Sequence, residues 1–359
     1  MALGLYIQCR YFLLMTSLNY DNLNLQDLIV KVLLNPEVYD VKVNRVKLIQ
    51  TYHSFVFLAG NFAYKIKKAV KFPYFDFSTL EKRKEDLEKE LKLNKRLAPN
   101  LYIGIVPITM DNGVIKVDGR GRIVEYALKM KRIPERYLMS KLLEENRISG
   151  RDVENIAKII ANFHFKAESS NEINRYGSIE ILRFNWNENF EQTREFINIT
   201  ISENQFNFIK DVIDDFIHRS MDLFEKRIKY GRIRDCHGDL HSESIFITPN
   251  EIYIFDCLEF IDRFRFSDVA SEVAFLAMDL DFHDRSDLSD IFVNKYVEIS
   301  GDRELLKLLP FYKCYRAYVR GKVESFKLKD PNIRNREKKI AIKKARKYFN
   351  LAFNYAKQF

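Results

Sequence analysis

Cysteine is scarce in this chain and scattered where it occurs. Cys9, Cys236, Cys257 and Cys314 form no CxxC pair and no zinc-ligand spacing. That excludes a disulfide framework and a structural zinc site, and predicts reduced, partly buried thiols of a cytoplasmic protein. Glycine and proline are few, at 12 and 8 of 359 residues, against abundant Lys and Glu, a profile that leans toward heat stability. There is no low-complexity linker and no repeat of solenoid length. No window of 18 uncharged apolar residues occurs, so no membrane-spanning helix is expected, and no membrane partner is expected either. The first fifteen residues, MALGLYIQCRYFLLM, are apolar, but Gln8 and Arg10 interrupt them and no small-residue cleavage site follows. A start at Met15 accounts for them better than a signal peptide does.

What is present suits two lobes or one large domain. An apolar fraction of 47% with 14% aromatics is ample for a core and argues against disorder. The net charge of +9 comes from 59 basic against 50 acidic residues spread along the chain. Such an excess attracts phosphates, nucleic acid or an anionic surface without choosing among them.

Residues 23–49 read as helical or mixed, with Leu25, Leu28, Ile29, Val32 and Leu33 at helical spacing and Pro36 as a stop. Ser54–Ala59 and Phe62–Lys67 then read as strands around Gly60-Asn61, a hairpin turn that needs a positive φ. A capping box at Ser78 to Glu81 opens a long helix running to Pro99, and 101–108, 113–117 and 122–130 read as three further strands. From there the pattern is mainly helical, interrupted by strand-like pieces at 244–248 and 252–256. The division predicts an N-terminal extension over 1–44, an α+β lobe over 45–130 and a helical lobe over 131–359.

The strongest chemical signal is His237-Gly238-Asp239-Leu240-His241-Ser242-Glu243-Ser244, followed by Ile252-Tyr253-Ile254-Phe255-Asp256. Phosphoryl transfer needs one carboxylate to orient the attacking hydroxyl and another to hold magnesium against the phosphates. Asp239 and Asp256 are 17 residues apart, enough for a loop and a short hairpin between them. As isolated surface aspartates they would mean nothing. Preceded by His-Gly and by an apolar strand, they read as a site.

HGDLH followed by a strand and IFD resembles the aminoglycoside phosphotransferases, relatives of the protein kinases. The stretches FDCLEFIDRFRFSDVASEVAFLAMDLDF, VFLAGNFAYKIKKAVKFPYFDFSTLEKR and LKLNKRLAPNLYIGIVPIT resemble one branch of that family, over roughly residues 45–325. Members of the branch often carry a second, P-loop ATP-binding domain, but no GxxxxGK[ST] occurs in these residues. The resemblance implies a bilobal protein-kinase-like fold with ATP and Mg2+ as cofactors. It implies Asp239 as the catalytic aspartate and Asp256 as a magnesium ligand. Asp268 would brace the catalytic loop through backbone N–H groups, and His237 would pack beneath that loop.

A lysine must pair with the nucleotide phosphates and be held by a glutamate. Lys65 and Lys67 face the same side of their strand, so alternation does not choose between them. Phe-Ala-Tyr-Lys65 fits the kinase pattern better. Glu90 lies about 60° from Leu87 on the helical wheel, beside the apolar stripe, whereas Glu81, Glu85 and Glu88 lie about 100° or more away. Glu90 is therefore the expected partner. No GxGxxG precedes Lys65, so Tyr52-His53-Ser54 and the Gly60 hairpin are the expected nucleotide loop, with backbone groups of Lys129, Met130 and Lys131 meeting adenine.

One position departs from the family pattern. Five residues after Asp239, where HGDLHxxN has asparagine as a second magnesium ligand, stands Ser244, a shorter and weaker neutral ligand. Glu243 replaces it only if the loop turns by one residue. Two functions follow. The first is an ATP-dependent phosphotransferase acting on a hydroxyl of a small molecule; the second is a nucleotide-binding, pseudokinase-like regulatory module. Arg183 to Trp186, Glu188 and Tyr312 to Arg320 are the expected acceptor walls. A third reading, nucleic-acid binding by the basic tail Lys327 to Lys347, is weaker. Ile340, Ala341, Ala345 and Phe349 recur there at helical spacing, so an amphipathic helix with a solvated basic face explains the tail.

Overall fold

The computed structural model describes residues 20–51, 53–72, 75–331 and 333–359, the first five by backbone only. Cys9, the segment around Met15 and Tyr52 lie outside the described residues. The chain forms two compact units. One comprises the described residues up to Tyr137 together with Tyr253–Ile261, and the other comprises Leu138–Ile252 and Asp262–Phe359.

The first unit is built on a six-stranded antiparallel sheet. Its strands are β1 (Val46–Gln50), β2 (Ser54–Ala59), β3 (Phe62–Lys67), β4 (Tyr102–Asp111), β5 (Val114–Val117) and β6 (Arg122–Lys131), in the order β1-β2-β3-β6-β4-β5. The β2–β3 hairpin turns at Gly60, whose φ of +58° is the left-handed geometry expected of Gly60-Asn61. The region read as helical or mixed up to residue 49 divides. It is helix α1 (Tyr20–Val32), a short turn after Asn35, and then strand β1, which pairs with β2 from Val46↔Ala59 to Gln50↔Phe55. β1 was hidden because the adjacent apolar residues Leu48 and Ile49 break the alternation of VKLIQ.

Alternation on β3 sets its two faces. Tyr64 and Ile66 join Ile29, Leu33, Phe57, Ile108 and Val124 in the core under α1. Lys65 and Lys67 face the other way, toward helix α2 (Leu80–Asn94). The N-cap of α2 is Thr79, which accepts from the Lys82 N–H, and not Ser78, whose hydroxyl is engaged by Asp76 at 2.5 Å.

The second unit is helical around α6 (Val269–Phe282), whose residues from Val269 to Leu280 are all buried. A helix buried all round in this way can only be central. Around it lie α3 (Gly150–Lys166), α4 (Ile179–Thr193), α5 (Glu203–Arg219), α7 (Ser286–Ser300), α8 (Leu305–Phe326) and α9 (Asn335–Ala356). A short ladder of β7 (Ile233–Asp235) with β8 (Phe266–Asp268) anchors both ends of the HGDLH region's surroundings. Trp186 is buried against Phe190, Phe311, Tyr315 and Tyr318, which makes it a core anchor. On α9, Ala341, Ala345 and Phe349 are buried while Arg336, Lys338, Lys339, Lys343 and Lys344 are exposed. Among the described residues no helix is long and apolar enough to cross a membrane. Cys236, Cys257 and Cys314 are unbridged and buried.

Candidate active site

In the first unit, Lys65 Nζ lies 2.7 Å from Glu90 Oε1 and 3.6 Å from Asp256 Oδ1. Burial opposes the charge on Lys65, but Glu90 restores it and holds the ammonium above its ordinary pKa. Glu90 is reached because the apolar stripe of α2, with Leu87 and Leu93, turns it toward the sheet. Lys67 has no exposed surface and is paired with Asp86 at 2.7 Å, Glu90 at 2.8 Å and Glu259 at 2.6 Å. An ammonium offers three N–H bonds, and three carboxylates surround this one. The two lysines that alternation leaves equivalent are thus in different electrostatic situations.

Asp256 sits at φ +64°, its N–H donating to the Tyr102 hydroxyl at 3.2 Å. Its carboxylate keeps 40% exposure beside the Lys65 ammonium. His53 is packed among Phe75, Phe77 and Phe260. Burial, reinforced by Lys67 and Lys65, holds its imidazole well below the ordinary pKa, so the ring is neutral. Ser54 is fully buried.

Among the expected adenine contacts, the Lys131 N–H needs correction. β6 lies between β3 and β4, and Met130 pairs with Ala63 on one side and Tyr102 on the other. The Lys131 N–H donates to Leu101 O at 2.9 Å and the Arg132 N–H to Asn61 O at 2.8 Å. Those donors belong to the sheet, so Lys131 cannot offer its N–H to a base.

In the second unit, the loop 237–244 turns at Gly238, whose φ of +89° admits no ordinary side chain without strain. Asp239 is buried, with Oδ2 3.3 Å from His241 Nε2. His241 Nδ1 accepts from the Glu243 N–H at 3.2 Å, which leaves Nε2, the nitrogen nearer Asp239, as the protonated one. Burial would raise the Asp239 pKa, but His241 beside it brings the carboxyl below its ordinary value. His237 is fully buried and its Nδ1 accepts the Asp239 N–H at 3.3 Å.

Ser244 is turned into the loop. Its hydroxyl lies 2.9 Å from both Asp239 O and His241 O and accepts from the His241 N–H at 3.1 Å. Glu243 faces Arg320 at 3.4 Å; burial works against its charge, and Arg320 brings the carboxyl down to about 2.

Asp268 stands at the start of α6, as its position before the helix suggests, but does not hold the loop. It caps its own helix through the Ala270 N–H at 2.8 Å and pairs with Arg227 at 2.7 and 2.9 Å. The loop N–H groups are held farther along α6: Gly238 by Glu272 Oε1 at 2.6 Å and Ser242 by Asp279 Oδ2 at 2.8 Å. Glu272 Oε2 also meets His164 Nε2 at 2.7 Å, and Arg316 donates to Gly238 O at 3.3 Å. Sequence reasoning missed Glu272 and Asp279, although a spacing of seven on one helix puts both on one face. It missed Asp86 for lack of the same step, since Asp86 is one turn before Glu90.

Of the expected acceptor walls, Glu188 and Asn185 are bound to Arg263 at 2.9 Å each. Asn185, Trp186, Arg263, Tyr312, Tyr315 and Arg316 border a small cavity of 40 Å³, room for water rather than for a metabolite.

A sheet bearing a buried Lys–Glu pair, and a helical unit bearing an HGD loop, define the protein-kinase-like fold. Solved structures agree. Over 93% of this chain it is similar to a choline/ethanolamine kinase family protein from Mesorhizobium loti, covering 100% of that chain at TM-score 0.50 and 10% identity. Choline kinase from Cryptosporidium parvum is similar over 93% of this chain and 94% of its own, at TM-score 0.50 and 13% identity. A Plasmodium vivax ethanolamine kinase is similar over 87% of this chain and 83% of its own, at TM-score 0.50 and 13% identity. No protein-family profile matches the chain. In sequence it is 34% identical over 275 residues to uncharacterized proteins of Mycobacterium tuberculosis and Mycobacterium bovis. The match takes in 77% of this chain and 54% of each relative, so the chain spans about half the length of the curated relatives it matches.

Proposed function

We propose that this protein is an ATP- and magnesium-dependent phosphotransferase acting on a hydroxyl of a small molecule. The observation that carries the reading is the buried Lys65–Glu90 pair at 2.7 Å with Asp256 3.6 Å from the same ammonium. A cation held in place by a glutamate, beside a carboxylate that remains partly exposed, suits a nucleotide's phosphates and a divalent metal. Lys65 is the phosphate-facing lysine in this reading, because Lys67 is fully buried among three carboxylates that neutralise it. Asp256 would hold magnesium, whose contribution when bound is to neutralise charge on the phosphates.

Asp239 is assigned to the acceptor. Its carboxylate is ionised at neutral pH and oriented by His241, so it can accept a hydrogen bond from a hydroxyl and take the proton as the oxygen attacks. His237, Glu272 and Asp279 keep the loop in the shape that presents it. The relatedness in fold to choline and ethanolamine kinases supports a small-molecule acceptor without choosing one.

Ser244 favours a second reading, a nucleotide-binding module with little transfer, because its hydroxyl is spent on loop carbonyls where a second magnesium ligand is expected. One experiment separates the two. Thermal stabilisation by Mg-ATP is measured for the wild type, Lys65→Ala and Asp239→Asn, alongside transfer from labelled ATP to a metabolite library. Lys65→Ala should lose most of the stabilisation. Asp239→Asn should keep it and lose transfer. Absence of stabilisation of the wild type at millimolar Mg-ATP removes both readings, since saturation at about 100 times Kd gives about 2.7 kcal/mol.

A further inference from the structure

We infer that Lys67 and Glu259 form a buried clasp that positions the Asp256 turn against α2, making Lys67 a positioning residue for the metal-binding aspartate. This rests on the phosphotransferase reading of Asp256. Lys67 meets three carboxylates, Asp86 and Glu90 from successive turns of α2 and Glu259 from the segment that follows Asp256. One ammonium therefore ties the helix to that segment. Glu90 is shared, with Oε1 on Lys65 and Oε2 on Lys67.

The Asp256 turn needs such a hold. A φ of +64° is sparsely populated for a residue with a side chain and persists only where the surroundings enforce it. Besides the Tyr102 hydroxyl on the Asp256 N–H, the Cys257 N–H donates to Asn94 Oδ1 at 2.9 Å. Asn94 is one turn beyond Glu90 on α2 and donates to its carbonyl at 2.9 Å. The helix thus grips the turn at two points, Cys257 through Asn94 and Glu259 through Lys67. A movement of α2 that parts Lys65 from Glu90 must also release the turn that carries Asp256. Nucleotide lysine and metal aspartate are then set by one element and cannot be misaligned separately.

Removing Lys67 itself would leave Asp86, Glu90 and Glu259, whose carboxylate oxygens lie within 4.8 Å of one another, without their cation, and folding could fail. The isosteric variants Glu259→Gln and Asp86→Asn avoid this. Each weakens one of the three partners of Lys67, but only Glu259 lies on the Asp256 segment. The magnesium midpoint for thermal stabilisation at fixed ATP is measured for both, with amide hydrogen exchange at Cys257 followed without nucleotide. Glu259→Gln should raise the midpoint about fivefold or more and speed exchange at Cys257, while Asp86→Asn should do neither despite a similar loss of melting temperature. Equal changes in both variants, or none in either, overturn the clasp. A wild type that shows no magnesium-dependent stabilisation overturns the phosphotransferase reading instead, and the exchange at Cys257 still decides whether the clasp holds the turn.

Discussion

Glu272→Gln should destabilise the protein and remove part of its acid sensitivity, both through the loop that carries Asp239. Glu272 has no exposed surface, and its two oxygens take the Gly238 N–H at 2.6 Å and His164 Nε2 at 2.7 Å. Burial opposes its charge, but the hydrogen bond and charge of His164, with the Gly238 N–H, bring the carboxyl from 4.5 to about 2. A folded-state value below the unfolded one means stability that is present above the unfolded value and lost as pH falls toward the folded one. A shift of this size is worth on the order of 3 kcal/mol at neutral pH, and more than half of it is gone by about pH 3. The glutamine keeps an oxygen for Gly238 but offers an amide and no charge to the imidazole. Urea unfolding of both proteins should therefore differ by about 3 kcal/mol at pH 7, with the difference shrinking steadily between about pH 4.5 and pH 3. The transfer rate should fall as well, since Asp239 follows Gly238 directly. A difference that is constant with pH, or that grows on acidification, would refute the reasoning.

Ser244→Ala should cost about 1–2 kcal/mol in urea unfolding, because the His241 N–H and two loop carbonyls lose the hydroxyl. Ser244→Asn tests the ligand role at that position: a lower magnesium midpoint supports it, and an unchanged one assigns Ser244 to the loop alone. Arg227→Met should cost about 3–5 kcal/mol, since it strands the buried carboxylates of Asp268 and Asp302. A melting temperature within a degree or two of the wild type would contradict that. The isosteric changes at Glu259 and Asp86, and the separation of binding from transfer by Lys65→Ala and Asp239→Asn, complete the set.

Local pattern carried much of this molecule. Gly60-Asn61 between two alternating runs specifies a hairpin by itself, because a tight turn between twisted strands demands positive φ and few residues supply it. The burial of Glu90 follows from its angle to Leu87 on α2 and needs no knowledge of what it meets. What the amino-acid order could not decide was partnership between distant residues. Period two puts Lys65 and Lys67 on one face of β3, and only the packing of α2 and of residues 253–261 surrounds Lys67 with carboxylates and leaves Lys65 beside Asp256. Whether Ser244 points outward or inward depends on a turn in which Gly238 and His241 direct the backbone. Lys131 loses its N–H to Leu101 because β4 adds beside β6, a pairing made across a register that no local periodicity encodes. Local sterics and hydrophobic spacing thus chose the elements, while the contest among buried charges for partners was settled only when the elements packed.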